Sequence, residues 1–166
     1  GEQDLAEPDA QALRDGSARL ALQTDPPFDH YLFIEKSRDR CEALESLKSE
    51  FPELAAAIRV QQGNANTVIQ TLCDRNWDQR RAVLFLDPYG MQVEWKTIEA
   101  IASTKAIDMW LLFPLGIGVN RLLKRRPEDI PQSWRVCLTK LLGTDGWEQE
   151  FYTTQSEKML FGAEEK

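Results

Sequence analysis

Residues Arg81–Met91 read R-A-V-L-F-L-D-P-Y-G-M, and this stretch decides the fold. Ala82 to Leu86 is an uninterrupted apolar run, short enough for a strand and apolar enough for one buried on both faces. It ends abruptly at Asp87-Pro88-Tyr89-Gly90. Pro88 has no N–H to continue a hydrogen-bond ladder, and Gly90 permits a sharp turn. A carboxylate and an aromatic ring are thereby expected at the carboxyl end of a central strand, the edge where open α/β sheets bind ligands. The expectation is that Asp87 and Tyr89 face a substrate.

Upstream of this strand lie two more expected strands. Tyr31-Leu32-Phe33-Ile34 is short and apolar and is followed by Glu35-Lys36-Ser37, where Ser37 can cap a helix running to about Glu50. Cys41, Leu44 and Leu47 recur on one face of that helix and charges fill the other. Ile58–Gln62 is the next strand and stops at Gly63-Asn64-Ala65-Asn66, with a helix expected from about Thr67 to Asp74. Before all of these, Ser17 is positioned to cap a short helix over Ala18–Leu22 that Asp25-Pro26-Pro27 breaks.

Downstream, Trp95, Ile98, Ile101 and Ala102 fall at helical spacing within Val93–Ser103. Ile107–Phe113 then reads as a fourth strand, stopped by Pro114 and Gly116, and a helix is expected around Val119–Arg126. Trp134, Cys137, Leu138, Leu141 and Leu142 follow the i, i+3, i+4, i+7, i+8 pattern of an amphipathic helix over Ser133–Leu142, which Gly143 ends. Strand and helix alternate throughout, which implies a mostly parallel α/β sheet with right-handed crossovers. The division expected is a flexible acidic lead-in over 1–15, an α/β core over 16–126 and a helical C-terminal segment over 127–166.

The totals narrow the function classes. A chain of 166 residues suffices for one domain with a sizeable core. Its longest apolar run, near Met109–Phe113, is far too short to span a membrane, and no signal segment opens the sequence. Three widely spaced cysteines (Cys41, Cys73, Cys137) and a single histidine, His30, support neither a disulfide framework nor a metal cage, and they fit a reduced, cytoplasmic protein. A net charge of −7 argues against strong non-specific binding of nucleic acid by this chain alone.

Three strand tips carry residues suited to a site. Glu35 stands where doubly wound nucleotide-binding folds place the acid that meets ribose hydroxyls; its plainer role is a helix N-terminal carboxylate. Gly63 lets a ligand approach the backbone, and the Asn64 amide can donate to and accept from a purine edge, while Asn66 is positioned as the cap of the next helix. Asp87, Pro88 and Tyr89 can present an acceptor for an amine or hydroxyl together with a stacking surface. Asn120-Arg121 and Lys124-Arg125-Arg126 could meet phosphate, although a basic run at a helix C-terminus is also favoured by the helix dipole.

Taken together, F-I-E-K-S, G-N-A-N, F-L-D-P-Y-G followed by W-K-T-I-E-A-I-A, and L-L-F-P with a downstream N-R resemble the three-Cys-motif partner protein family, over about Gly16 to Arg121. These are bacterial and phage proteins named for a gene neighbour with a three-cysteine motif. The resemblance implies a Rossmann-like, class I methyltransferase-like fold, S-adenosylmethionine as cofactor, and a three-cysteine-motif protein as partner, with nucleic acid as a candidate methyl acceptor. It gives Glu35 the ribose-binding role and Asn64 the position, commonly Asp, that contacts adenine, so that Glu35, Gly63 and Asn64 are the expected cofactor-binding residues. It likens Asp87-Pro88-Tyr89 to the Asp/Asn-Pro-Pro-Tyr motif that holds exocyclic amines of nucleobases, here with one proline fewer.

Such families open with a strand and a Gly-rich loop, D-x-F-A-G-x-G or similar, and nothing in Gly1–Asp15 resembles it. In their sheet order that strand lies between the one ending at Glu35 and the one ending at Asp87. A chain lacking its first strand, part of a longer protein, is therefore the expectation. Two other functions remain open: a non-catalytic partner or scaffold subunit that keeps the fold, and a nicotinamide-type dinucleotide domain, which the absence of G-x-G-x-x-G disfavours.

Overall fold

A computed structural model of the chain describes residues 16–87, 92–113, 119 and 122–152. The chain divides into two compact units, Gly1–Val68 and Ile69–Lys166. Each contains one pair of parallel strands, so the fold is mixed α/β, with two two-stranded sheets among the described residues.

In the first unit, α1 (Ser17–Leu22) leads to β1 (Tyr31–Glu35), α2 (Arg38–Glu50) and β2 (Ile58–Gln62). The N-cap of α1 is Gly16, so Ser17 is the first helical residue and does not cap as the sequence suggested. Strands β1 and β2 pair from Tyr31 opposite Ile58 to Glu35 opposite Gln62. The ladder runs one step further at each end: Tyr31 N–H donates to the Ala57 carbonyl (3.0 Å), and Gly63 N–H donates to that of Glu35 (2.9 Å). Helix α2 packs on both strands, as a βαβ crossover requires. Its apolar stripe buries Cys41 and Leu47, and Leu22, Tyr31, Leu47 and Ile58 form the core. Tyr31 is a suitable core residue because its hydroxyl is satisfied, accepting the Phe28 N–H at 3.0 Å.

Helix α3 (Ala65–Cys73) carries the chain across the unit boundary. Beyond it come β3 (Ala82–Leu86), α4 (Trp95–Thr104), β4 (Ile107–Leu111) and α5 (Gln132–Leu142), with helical residues again at 147–152. Strand β3 pairs with β4 from Ala82 opposite Ile107 to Leu86 opposite Leu111. Helix α4 packs on β4 and on α5. Gln70 of α3 donates to the hydroxyl of Thr97 on α4 at 2.8 Å, and Thr97 is wholly buried. The main core lies beyond the sheet, where Val119, Ile130, Leu138, Leu141 and Trp147 are buried together.

Helix α5 stops where the sequence predicts, at Gly143, which takes the left-handed conformation with φ 73°. The indole of Trp95 lies so close that a Cβ at this glycine would sit 2.1 Å from its Cγ. Glycine is needed here for backbone conformation and for space.

Two expectations change. Strand β4 ends at Leu111 rather than Phe113. The helix expected over Val119–Arg126 is limited among the described residues to a turn closed by Leu123 N–H on the Val119 carbonyl (3.0 Å), and residues 123–126 are not helical. Pro127 keeps Arg126 out of helical geometry and opens a 3-10 turn, Pro127–Asp129. Among the described residues, no helix is long and apolar enough to cross a membrane.

Candidate functional site

The carboxyl tips of β1 and β2 stand side by side because their register is parallel and aligned. Glu35 ends β1, and its Oε1 accepts two bonds: from the Ser37 N–H at 2.7 Å and from the Arg40 guanidinium at 2.8 Å. The Arg40 bond, followed by the Ser37 amide, holds the Glu35 carboxyl down at about 2 from an ordinary 4.5, against the opposing effect of burial. Glu35 is therefore ionised throughout the physiological range. Ser37 is the N-cap residue of α2 yet makes no capping bond with its own side chain. Glu35 instead accepts the N-cap residue's own amide, just ahead of the first turn. The Cys41 thiol donates to the Glu35 carbonyl at 3.4 Å, anchoring the same turn.

Gly63 adjoins Glu35 through the backbone bond already described. A Cβ on Gly63 would lie 3.2 Å from Val68 Cγ2, which is tight. Asn64 follows, exposed, and its Oδ1 accepts the Asn66 N–H at 2.9 Å. The expected division of labour is thereby changed: Asn64 makes the turn that starts α3, and Asn66, expected to be the cap, lies inside the helix. The reason is geometric, because an Asn side chain readily accepts from the backbone two residues on. The Asn64 side-chain NH2 is then the group left to donate to a ligand. Glu35, Gly63 and Asn64 thus form one compact edge of the first unit.

Asp87 belongs to the second unit. It is exposed, directly follows β3, and makes no hydrogen bond or ion pair among the described residues. Pro88, Tyr89 and Gly90 lie outside the described residues, as do Asn120 and Arg121. Of the basic run, Lys124 sits over the Trp134 ring, 4.6 Å from its centroid, while Arg125 and Arg126 are exposed. His30 is exposed in the loop before β1. Cys41, Cys73 and Cys137 are free thiols, and burial pushes the Cys73 thiol above its ordinary pKa. Among the described residues, no group of three or more His, Cys, Asp or Glu could hold a metal ion.

A depression of about 720 Å³ opens beside Cys73, Trp77, Arg81 and Lys105. It lies at the amino ends of β3 and β4, the opposite end of β3 from Asp87.

Two features escaped the sequence reading. One is Arg40, whose signal was an arginine in the first turn of the helix that follows a strand-tip acid. The other is a correction to β3 itself. Ala82–Leu86 is not buried on both faces: Val83 is 41% exposed and Phe85 66%. Phe85 stacks against its cross-strand neighbour Trp110, also 66% exposed, with ring centroids 6.4 Å apart. An apolar run signals a strand but does not say whether both faces meet a neighbour.

Comparison of the chain with protein-family models, with characterised proteins and with solved structures finds no match.

Proposed function

We propose that the chain is an S-adenosylmethionine-dependent methyltransferase-like protein of the three-Cys-motif partner kind, with nucleic acid as its candidate methyl acceptor. The observation that carries this reading is the state of Glu35: an ionised carboxylate at a parallel strand tip, beside Gly63 and Asn64. An ionised carboxylate is an acceptor only, which suits the paired hydroxyls of a ribose. Asn64 can donate to a purine ring nitrogen through its NH2 group. In this reading the ribose and adenine of the cofactor fit the chemistry of these three residues. The described residues include no Gly-rich loop for its methionine end.

When bound, the cofactor supplies a methyl group on a sulfonium sulfur. The part assigned to Asp87, Pro88 and Tyr89 is to hold an acceptor amine: the carboxylate and the proline carbonyl accept its N–H groups, and the ring stacks on its base. Positioning of this kind can account for much of a transfer rate. Calorimetric titration of the full-length protein with S-adenosylmethionine tests the reading. Saturable binding that is lost in Glu35→Ala is expected, and absence of any saturation overturns it.

A second reading, a non-catalytic partner subunit working with a three-cysteine-motif protein, is favoured by the open Phe85–Trp110 face. It predicts co-purification with that neighbour and cellular function indifferent to Asp87→Ala. Loss of function in Asp87→Ala, with folding and partner binding intact, would count against it.

A further inference from the structure

The main chain around Glu35 is held at three points. The Glu35 carbonyl accepts the Gly63 N–H at 2.9 Å and the Cys41 thiol at 3.4 Å. From the neighbouring strand tip, the Gln62 side-chain amide donates to the Lys36 carbonyl at 3.2 Å. With the backbone fixed, the carboxylate could still turn about its own side-chain bonds. Two donors stop it, the Ser37 N–H at 2.7 Å and the Arg40 guanidinium at 2.8 Å, and both act on one oxygen, Oε1. A carboxylate oxygen offers about two acceptor sites, so Oε1 is filled. The Lys36 N–H helps to keep the carboxylate ionised, less strongly than either of these. Oε2 accepts no hydrogen bond among the described residues. The Glu35 side chain is 22% exposed, so solvent reaches it.

The two donors differ in kind. Ser37 lies two residues along and belongs to the local turn, whereas Arg40 stands in the first turn of α2, where the helix dipole disfavours a cation. Arg38, in the same turn, reaches along the helix to Glu42 at 3.1 Å. Arg40 reaches back, off the helix, to the strand tip. Lys36 and Asp39 are exposed, and the side chain of neither pairs with Glu35 among the described residues. We infer that Arg40 is a positioning residue for ligand binding: by occupying Oε1 of Glu35 it leaves Oε2 to accept both hydroxyls of a ribose. The donor count matches, because Oε2 retains about two acceptor sites and a cis-diol brings one O–H for each. A 2′-deoxyribose brings a single donor and leaves half of Oε2 unmet. Arg40 thus acts through Glu35 rather than on the ligand, and it makes the edge selective for ribonucleosides. The inference rests on the ribose-binding reading of Glu35 and on no other part of the cofactor.

The probes are adenosine and 2′-deoxyadenosine, titrated into the full-length protein and followed by NMR. The parent should bind adenosine on the order of tenfold more tightly, as for one hydrogen bond to a charged group. Arg40→Gln should lose about as much adenosine affinity and narrow the preference, because the carboxylate is free to turn. Arg40→Lys, which keeps a cationic donor, should restore most of both. In a Glu35→Gln background, adding Arg40→Gln should cost nothing more. The Arg40 side chain is 70% exposed, so circular dichroism of the variants should match the parent. Absence of saturation by adenosine, equal affinity of the parent for the two nucleosides, or equal adenosine affinity in parent and Arg40→Gln overturns the inference. So does Arg40→Lys as weak as Arg40→Gln. A further loss from Arg40→Gln in the Glu35→Gln background also overturns it, because that puts Arg40 on the ligand itself. The methyltransferase reading fails separately: adenosine binding with these responses, but no saturation by S-adenosylmethionine, removes that reading and supports the role of Arg40.

Discussion

The two strand pairs have the same length, the same direction and aligned registers, yet they use their surfaces differently. In β1–β2 the carboxyl tip is tied down: Glu35 is bound by Ser37 and Arg40, and Asn64 turns the chain into α3. In β3–β4 the tip residue Asp87 is untied among the described residues, and the open face is apolar. The open face of β1–β2 is of another kind, with exposed Arg59 and Gln61 beside Leu32 and Ile34. Identical strand geometry can thus serve a polar edge in one unit and an apolar face in the other. Which it serves depends on the side chains at alternate positions, since neighbouring residues point to opposite faces.

The largest effect that would sharpen this contrast is in the buried layers. Leu138 of the second unit is completely buried, and Ile58 of the first is 2% exposed. Leu138→Ala and Ile58→Ala should each cost about 2–5 kcal/mol, read as faster amide exchange in the helices and strands of the unit that carries the change. An equal loss of protection in both units from either variant would break the comparison.

Gly143→Ala comes next. It places a methyl group against Trp95 and forces a side chain into the left-handed region. A loss of about 1–3 kcal/mol is expected by thermal melting. Recovery in Gly143→Ala/Trp95→Ala would show how much of the loss comes from the ring rather than the backbone.

Glu35→Gln should cost about 1 kcal/mol near neutral pH, a figure discounted because the Arg40 side chain is 70% exposed. The folded-state pKa is depressed, so the stabilisation is complete above the ordinary carboxylate range and fades as pH falls from 4.5 through about 2. Denaturant titrations of parent and variant should converge over that window. A difference that persists below it would mean that Glu35 acts through packing rather than charge.

Asn64→Ala removes the acceptor that starts α3 and should cost about 0.5–1 kcal/mol in chemical denaturation. Asn66→Ala, lying within the helix, should cost less. The reverse order would restore the capping role to Asn66.

The sequence made some of this legible. The limits of β3 could be read from an apolar run cut off by Asp87-Pro88, and the end of β2 from Gly63. The end of α5 could be read from five apolar residues at helical spacing followed by Gly143. These signals are local, and local steric rules decide them. The role of Asn64 was harder to read, because two asparagines two residues apart are both able to cap and only backbone geometry chooses between them. The exposure of Phe85 and Trp110 was not legible at all. Burial of a strand face depends on what lies over it, and that information is not in the strand. The same is true of strand pairing: four strands in alternation with helices imply parallel neighbours but do not determine how many share a sheet.

Thr97 remains as a consequence of the way α3 meets α4. A purely apolar contact between two helices tolerates sliding, because one methyl group can replace another. The Gln70–Thr97 hydrogen bond does not tolerate it, since both partners must arrive at one relative height for the bond to form. Thr97 therefore acts as an index mark between the helices. Its replacement by valine, nearly equal in volume, would preserve the packing and remove the mark, leaving α3 and α4 in contact with less to specify their register.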